Sequence, residues 1–296
     1  MQEIKNGIDR THLYAFKAAS STILATYNTS DNVKYTSPAV DADGTVYYGG
    51  DNQKLCALAA LTLNELWIAD CGGDIQAPPV IGSDAVYVCA NNGKMYAFSK
   101  SDGTKIWELE YGNSCTAAPA LGEDGTLYMC GNTSDGGILM AVNTTDGTIK
   151  WQSPSVSKYD NSGIALDTDG CLYVGDSDGV LTCHSQANGD VVWSFRTQGK
   201  IRCTPAIADN GNIYFGDGAG YFYVLNQEGK QVYKEVKLGN EIYSSPAIDD
   251  NGIVYICVNV ETNQQPGRLC AFRTNATQAM TGWSMRCGNS LRNGRR

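Results

Sequence analysis

Three short acidic segments have the carboxylate spacing that could bind a cation. They read Asp41-Ala42-Asp43-Gly44, Asp167-Thr168-Asp169-Gly170 and Asp176-Ser177-Asp178-Gly179. Alternate Asp residues can place several oxygens around Ca²⁺, but none of these segments continues to the bidentate Glu that ends an EF-hand loop. Asp and Gly are also the residues that hairpin turns favour. The sequence therefore favours turns, and it leaves Asp176, Asp178 and Asp217 as the best candidate cation ligands.

Nucleophilic and phosphate-binding chemistry have little support in the sequence. The two histidines, His12 and His184, are too few for a His-rich metal site or a catalytic triad to be proposed. The segment Gly216–Gly220 imitates a dinucleotide-binding loop, but no helical pattern follows it. We therefore expect His184 to be an ordinary strand residue, and we assign no catalytic, cofactor-binding or metal-binding residue.

The composition excludes several classes of protein. The 296 residues have a net charge of −9 and a pI of about 4.7, which argues against nucleic acid as the main partner. Hydrophobic residues make up 42 %, enough for a core, and no apolar run is long enough for a membrane-spanning helix. The first ten residues do not read as a signal peptide. We expect a cytoplasmic protein or a sequence that begins after its targeting segment.

A short apolar segment that ends in Tyr recurs six times along the chain. Its tyrosines, 40 to 45 residues apart, are Tyr47, Tyr87, Tyr128, Tyr173, Tyr214 and Tyr255. Pro or Ile stands nine residues before each Tyr, and Trp or Tyr stands roughly twenty residues after it. Between the first two apolar segments of most units lies Asn-Gly or Asp-Gly, which favours a two-residue hairpin turn. Each unit is therefore predicted to contain four short antiparallel strands, A to D.

Units of this length with four strands are typical of β-propeller blades. We predict an all-β propeller that forms a single domain over residues 1–296. The predicted units are 1–35 (partial), 36–76, 77–116, 117–161, 162–203, 204–244 and 245–296. Because the first unit holds only strands C and D, seven blades are predicted, with six or eight as alternatives. Either the C-terminal segment or residues upstream in a longer parent chain would complete the ring.

The 11 cysteines are predicted to be predominantly free thiols. Their number is odd, and the sequence has neither a CxxC pair nor two adjacent cysteines. Cys89, Cys130 and Cys257 occupy one repeat position, and equivalent positions of adjacent blades should lie ~10 Å apart. That separation exceeds the Cα distance of ~7 Å that a disulfide allows. We expect these three residues to be small buried apolar side chains.

Connections between strands vary in length at only some positions. The constant spacing from Pro to Tyr predicts A–B turns of one length, whereas insertions occur at Asn132–Gly137, Ser153–Asn161 and Val258–Gly267. These lie in B–C and D–A connections, which share one face of an up-and-down blade. Varied loops on a rigid scaffold often bind partners. The candidate residues of this face are Tyr159, Asp160, Asp176, Asp178 and Asp217, a set that would favour cationic or hydroxyl-rich ligands.

The repeat units resemble those of the pyrroloquinoline-quinone-like (PQQ-like, BamB-like) β-propeller family over nearly the whole chain. The clearest segments are TSPAVDADGTVYYGG from Thr36 and KMYAFSKSDGTKIW from Lys94. The ending GWSMRCGNSLRNGRR, from Gly282, resembles the closing tail of bacterial surface propellers, with Ser284 where that tail has Pro. The family includes quinoprotein dehydrogenases, which have two adjacent cysteines over the quinone that this chain lacks. The resemblance therefore implies no bound PQQ, and calcium is the one cofactor left open.

These observations favour a non-enzymatic binding or scaffolding module of a bacterial envelope or surface protein. The resemblance also leaves two alternatives, a quinone-dependent oxidoreductase or other propeller enzyme, and a sensor domain of a larger receptor. The expected partner is a protein or a glycan, without nucleic acid or direct membrane insertion, and the chain is expected to be a monomer. Its expected location is the cell envelope, at the outer membrane or cell surface, if the chain is part of a longer protein, and the cytoplasm otherwise.

Overall fold

The structure is a computed structural model that describes residues 12–17, 20, 22–29, 36–260 and 267–276. Within these ranges the chain forms seven antiparallel sheets and contains no helix. A search of the same residues accordingly finds no helix that could cross a membrane. The all-β prediction is confirmed.

The first four sheets are numbered in chain order. Sheet 1 contains β1 (His12–Lys17) and β2 (Thr22–Asn28). Sheet 2 contains β3 (Ala39–Val40), β4 (Val46–Gly49), β5 (Lys54–Leu58) and β6 (Glu65–Asp70). Sheet 3 contains β7 (Val80–Ile81), β8 (Ala85–Ala90), β9 (Lys94–Ser99) and β10 (Lys105–Glu110). Sheet 4 contains β11 (Ala120–Leu121), β12 (Thr126–Asn132), β13 (Gly137–Asn143) and β14 (Ile149–Ser155).

The last three sheets follow the same plan. Sheet 5 contains β15 (Ala165–Leu166), β16 (Cys171–Gly175), β17 (Val180–Ser185) and β18 (Val191–Arg196). Sheet 6 contains β19 (Ala206–Ile207), β20 (Ile213–Gly216), β21 (Tyr221–Leu225) and β22 (Gln231–Lys237). Sheet 7 contains β23 (Ala247–Ile248), β24 (Ile253–Val258) and β25 (Arg268–Arg273).

Each sheet is an up-and-down meander in which every strand pairs with the next one along the chain. In each four-stranded sheet the A–B and C–D turns therefore lie at one end of the strands, and the B–C and D–A connections lie at the opposite end. Buried clusters of apolar side chains join sheets 1 and 2, 2 and 3, 3 to 5, 5 and 6, and 6 and 7. The number of blades and the unit boundaries stay predictions, and the C-terminal segment from Gly282 lies outside the described residues.

The recurring aromatic residues pack against one another within sheets 2 to 5. The ring centroid of the strand-B Tyr lies 5.7 to 5.9 Å from that of the strand-D Trp in the pairs Tyr47–Trp67, Tyr87–Trp107, Tyr128–Trp151 and Tyr173–Trp193. Tyr47 and Tyr173 are almost completely buried. Such a pair adds an attraction beyond the apolar area that the rings bury, so it holds the outer strand against strand B.

The same tryptophans also connect each sheet to the next. The indole N–H of Trp107 donates to the carbonyl of Thr144, in the C–D turn of sheet 4, with an N···O distance of 2.9 Å. Equivalent bonds of 2.7 to 2.9 Å join Trp67 to Lys100, Trp151 to Gln186 and Trp193 to Gln227. We refer to these four bonds, with the ring packing beside them, as the Trp–turn contacts.

A tyrosine replaces the Trp in sheet 6. Tyr233 is 58 % exposed and makes no hydrogen bond to any described residue. Beside it, a cavity of about 220 Å³ lies between sheets 6 and 7 and is lined by Phe222 and Phe272, whose rings stack 4.9 Å apart. The seam between these two sheets thus has apolar packing and a hydrogen bond from Arg268 to the Leu238 carbonyl, but no Trp–turn contact.

The A–B turns are not all of one length, which corrects the prediction from the constant Pro–Tyr spacing. Val80 pairs with Tyr87 in sheet 3, seven residues apart, whereas Ala120 pairs with Tyr128 in sheet 4, eight residues apart. The sequence contains Pro78 and Pro79 in succession, and Pro79 is therefore the structural equivalent of Pro119. The turn at Ser83-Asp84 is one residue shorter than the Asp-Gly and Asn-Gly turns.

We expect the Trp–turn contact at sheets 3 and 4 to be sensitive to an added methyl group. Gly147 has a φ of +74°, and a Cβ there would lie 2.8 Å from the Trp107 ring. Gly147→Ala should lower the free energy of unfolding, measured in urea, by about 2 kcal/mol or more. Gly170→Ala, at φ +89° with nothing within 4 Å of the added Cβ, is the matched control and should cost about 1 kcal/mol.

A double-mutant cycle separates the ring contact from the backbone strain. In a Trp107→Ala background, Gly147→Ala should cost no more than Gly170→Ala does. If the excess cost of Gly147→Ala persists without the indole, the ring is not the cause.

His184 predicts a dependence of stability on pH. It is a buried residue of β17, as expected, and its Nδ1 lies 2.9 Å from the carbonyl oxygen of Gly189. Burial lowers the pKa of His184, so the unfolded chain binds a proton more readily than the folded one. Stability should fall as pH drops below about 6.5, by at most about 1.4 kcal/mol per pH unit from this group. Urea unfolding of His184→Asn should show a shallower pH dependence, and an unchanged slope would contradict this assignment.

Candidate binding face

Three consecutive sheets bring polar and aromatic side chains to one repeat position at the B–C/D–A face. Asn161, Arg202 and Tyr243 each stand four residues before the first residue of a strand A, at Ala165, Ala206 and Ala247. Neighbouring D–A connections lie against one another: the backbones of Ala118 and Gly163 form a parallel bridge, and the N–H of Thr204 donates to Ser245 Oγ at 2.9 Å. The D–A connections therefore converge where the innermost strands begin.

The inserted segment before sheet 5 is fixed by hydrogen bonds to both neighbouring sheets. The backbone N–H of Tyr159 donates to Asn132 Oδ1 at 2.9 Å, and that of Asn161 donates to Thr116 Oγ1 at 3.0 Å. On the other side, the N–H of Ser177 donates to the carbonyl of Lys158 at 2.9 Å. This loop is long but rigid, so a partner would lose little loop entropy on binding it.

Tyr159 is inside this loop rather than on its surface, which corrects the expectation of an exposed stacking ring. Its side chain is 3 % exposed and belongs to the core of sheets 3 to 5. The ring lies over Gly137, where an added Cβ would be 2.7 Å from two ring carbons. The glycine at the start of β13 thus provides the space that buries Tyr159. The exposed residues of the loop are Val156, at 94 %, and Lys158.

The acidic candidates are divided between structural and exposed positions. Asp217 is completely buried and accepts hydrogen bonds from the backbone N–H groups of Gln198, Gly199, Ala219 and Tyr221 and from the Tyr223 hydroxyl, at 2.8 to 3.1 Å. Five donors satisfy its two oxygens, so this carboxylate stabilises the B–C turn of sheet 6.

Asp176 has the same role in sheet 5. Its Oδ1 accepts from the N–H groups of Asp178 and Val180 at 3.0 and 2.8 Å. Burial nevertheless raises the pKa of Asp176 above its ordinary value, since it disfavours the charged form more than these bonds favour it. Asp178 is exposed, and Asp160 is half-buried and accepts from Ser177 Oγ at 3.0 Å. The structure connects Asp160 to this turn but does not join the acidic candidates into one site.

The described residues contain no group of three His, Cys, Asp or Glu side chains placed to hold a metal ion. The Asp-rich segments use their oxygens within turns instead. Asp167, for example, accepts from the N–H groups of Asp169 and Cys171 at 3.0 and 2.7 Å and from the Tyr173 hydroxyl at 2.6 Å. Backbone donors thus occupy the positions that a cation would take.

A cavity of about 550 Å³ opens beside the converging D–A connections. Its lining includes Asn161, Arg202, Tyr243 and Ser244 from these connections, and Cys257 and Leu269 from sheet 7. The Arg202 guanidinium carbon lies 5.0 Å from the centroid of the Tyr243 ring, a cation–π distance. No sequence pattern indicates this pair, because the repeat position varies from unit to unit: it holds Tyr35, Gln76, Thr116, Asn161, Arg202 and Tyr243.

The cysteines follow the prediction with one exception. All ten described cysteines are free, and Cys89 and Cys130 are buried as expected. Burial raises the pKa of the Cys130 thiol. Cys257, at the same repeat position, is exposed, which corrects its expected burial, because it lies at the wall of the cavity rather than between packed sheets.

Thiol labelling should distinguish these environments. Among the described cysteines, the exposed Cys257 should react in a fast phase when the native protein is treated with a neutral alkylating reagent, whereas buried thiols with raised pKa values, such as that of Cys130, should react slowly. Cys257→Ser should remove this fast phase and leave the slower ones unchanged. Denatured, unreduced protein should give most of the 11 thiols, and finding one or none would contradict the assignment of free cysteines.

Solved structures with similar folds are propellers. BamB from Moraxella catarrhalis aligns with a TM-score of 0.57 at 18 % identity, over 86 % of this chain and 87 % of that one. The computationally designed Ika8 protein aligns with a TM-score of 0.70 at 15 % identity, over 86 % and 75 %. The WD40 propeller domain of Doa1 aligns with a TM-score of 0.62 at 12 % identity, over 86 % and 82 %. At these identities the likeness shows the fold alone.

Sequence comparison gives the family. No curated protein matches the chain. The family model described as outer membrane protein assembly factor BamB matches residues 9–168, 134–237 and 177–286, which together extend over most of the sequence. The resemblance seen in the repeats, the seven meandering sheets and this match agree, and the chain belongs to the BamB-like family of PQQ-like repeat β-propellers.

Proposed function

We propose that the chain is a non-enzymatic module of the bacterial cell envelope that binds a protein partner through its B–C/D–A face. The description of the matching family, an outer membrane protein assembly factor, supports the envelope as its location. The observation that supports the face is the cavity lined by Arg202 and Tyr243, beside a loop fixed to two sheets. Arg and Tyr are enriched among residues that dominate binding energy at protein interfaces.

The exposed part of this face fits a protein better than a glycan. Val156 is an almost fully exposed apolar side chain, and Lys158 stands two residues from it on the same rigid loop. An apolar contact next to a charged one is the usual composition of a protein interface, with a desolvated centre and a polar rim. The expected contact residues of this loop are therefore Val156 and Lys158 rather than the buried Tyr159, and the exposed Asp178 adds negative charge to the same face.

Site-specific photo-crosslinking in the producing cells tests the face. A benzophenone side chain at Val156 or Lys158 should crosslink to one discrete protein, and added unlabelled chain should compete. The same side chain at Asp124, in an exposed A–B turn on the opposite face, is the matched control and should give no such product. If Asp124 gives the product and the loop positions do not, the partner binds the other face.

A further inference from the structure

The Arg202 guanidinium lacks a counter-ion in a protein rich in carboxylates. The chain has 31 acidic and 22 basic residues, yet no described carboxylate lies within 4.0 Å of the Arg202 nitrogens. Its Nε is buried and has no hydrogen-bond acceptor among the described residues. The guanidinium packs over the Tyr243 ring and also interacts with the Tyr243 hydroxyl, a neutral group. The half-buried Arg202 is thus oriented and partly desolvated, and no described carboxylate balances its charge.

Other polar atoms without partners lie next to it along the D–A connections. The side-chain oxygen of Asn161 and the hydroxyls of Ser162 and Thr204 are buried, and none has a hydrogen-bond partner among the described residues. Ser162 and Thr204 are completely buried. Thr204 packs against the residue that follows Ser162, since a Cβ at Gly163 would lie 1.9 Å from Thr204 Oγ1. Buried polar groups are rarely left unsatisfied in folded proteins, and among these three atoms the Asn161 oxygen is the one at the cavity wall, where a ligand could reach it.

The remaining polar groups of the cavity already have partners. The Tyr243 hydroxyl donates to Glu241 Oε1 at 2.7 Å, so this carboxylate is directed to the tyrosine. Ser244 Oγ accepts from the N–H of Cys257 and donates to its carbonyl, each at 2.8 Å. Ser245 Oγ accepts from the N–H of Thr204 at 2.9 Å. What is left for a ligand is the guanidinium fork of Arg202 and the amide of Asn161.

We propose that this cavity binds a carboxylate group, paired with the Arg202 guanidinium and hydrogen-bonded by the Asn161 amide. A carboxylate accepts two parallel N–H bonds from the planar guanidinium, and half a turn of the Asn161 amide presents an N–H donor. The volume of about 550 Å³ fits a side chain or a short chain end, and Leu269 and Ile256 provide apolar walls. The source of this carboxylate rests on the proposed function: it is an Asp, Glu or C-terminal carboxylate of the docked partner.

Side-chain NMR tests the site directly. The full chain, labelled with ¹⁵N-arginine, is titrated with acetyl-Ala-Glu-Ala-amide while the Arg Nε–H resonances are recorded. The Arg202 resonance, assigned by its loss in Arg202→Lys, should shift and saturate. Acetyl-Ala-Gln-Ala-amide, which has the same shape without the charge, should leave it unchanged. No saturable shift with the Glu peptide, or an equal shift with the Gln peptide, would overturn the proposal.

Three further measurements distinguish the possible outcomes. If glutarate saturates the Arg202 resonance as tightly as the peptide does, the site binds a free small acid, and the proposal that a docked partner supplies the carboxylate is wrong. Arg202→Gln should reduce peptide affinity at least tenfold, whereas Arg196→Gln, which removes an exposed arginine of β18, should not. Alkylation of Cys257 in the same cavity should be slowed by the Glu peptide in the unsubstituted chain, which keeps the test independent of the variants' folding.

The proposed function can fail separately from this site. If Arg202→Gln retains the crosslink from Val156 while the Glu peptide gives no shift, the face binds a partner without the carboxylate, and the carboxylate site is wrong. If the peptide saturates the site but Val156 gives no crosslink, the cavity binds a carboxylate and the proposed docking face is wrong.

Discussion

The Trp–turn contact is the interaction on which the arrangement of sheets depends. A single four-stranded sheet of this chain has apolar side chains on both faces and cannot bury them alone. Apolar packing brings neighbouring sheets together but is not directional. The indole N–H of Trp107, bonded to the Thr144 carbonyl, fixes one point of sheet 3 on one turn of sheet 4. Four such bonds in succession make the relation between sheets repeat, and equivalent residues such as Asn161 and Arg202 thereby come to equivalent places.

The candidate face is a product of that repetition together with local exceptions to it. The rim of the cavity is formed by residues at equivalent positions of three successive D–A connections, Asn161, Arg202 and Tyr243. Val156 and Lys158 lie on the loop that follows sheet 4 and leads to Asn161. The side chain of Asn132 holds this loop in place. The carboxylates that the sequence presents as candidate ligands have another role. Asp176 and Asp217 accept backbone hydrogen bonds within the B–C turns and stabilise them.

The features that recur could be predicted from the sequence, and those that occur once could not. Six spaced tyrosines and the Asp-Gly turns predict meandering sheets, because strand period and turn chemistry are local properties. Two successive prolines, Pro78 and Pro79, conceal a shorter turn that only the pairing of Val80 with Tyr87 reveals. The burial of Tyr159 depends on Gly137, 22 residues earlier, and the orientation of Arg202 depends on Tyr243, which belongs to the next D–A connection. Both are properties of packing, which no motif records.

The tyrosine in sheet 6 has a mechanical consequence. Every seam from sheet 2 to sheet 6 contains a directional indole bond, whereas the seam between sheets 6 and 7 combines the stacked rings of Phe222 and Phe272 with hydrogen bonds such as that from Arg268 to the Leu238 carbonyl. Under a force applied along the chain, the two seams without an indole bond, between sheets 1 and 2 and between sheets 6 and 7, would therefore part before those between sheets 2 and 6. Because Tyr243, Ser244 and Cys257 belong to this last part of the chain, tension would also open the cavity beside Arg202 while the rest of the propeller kept its shape.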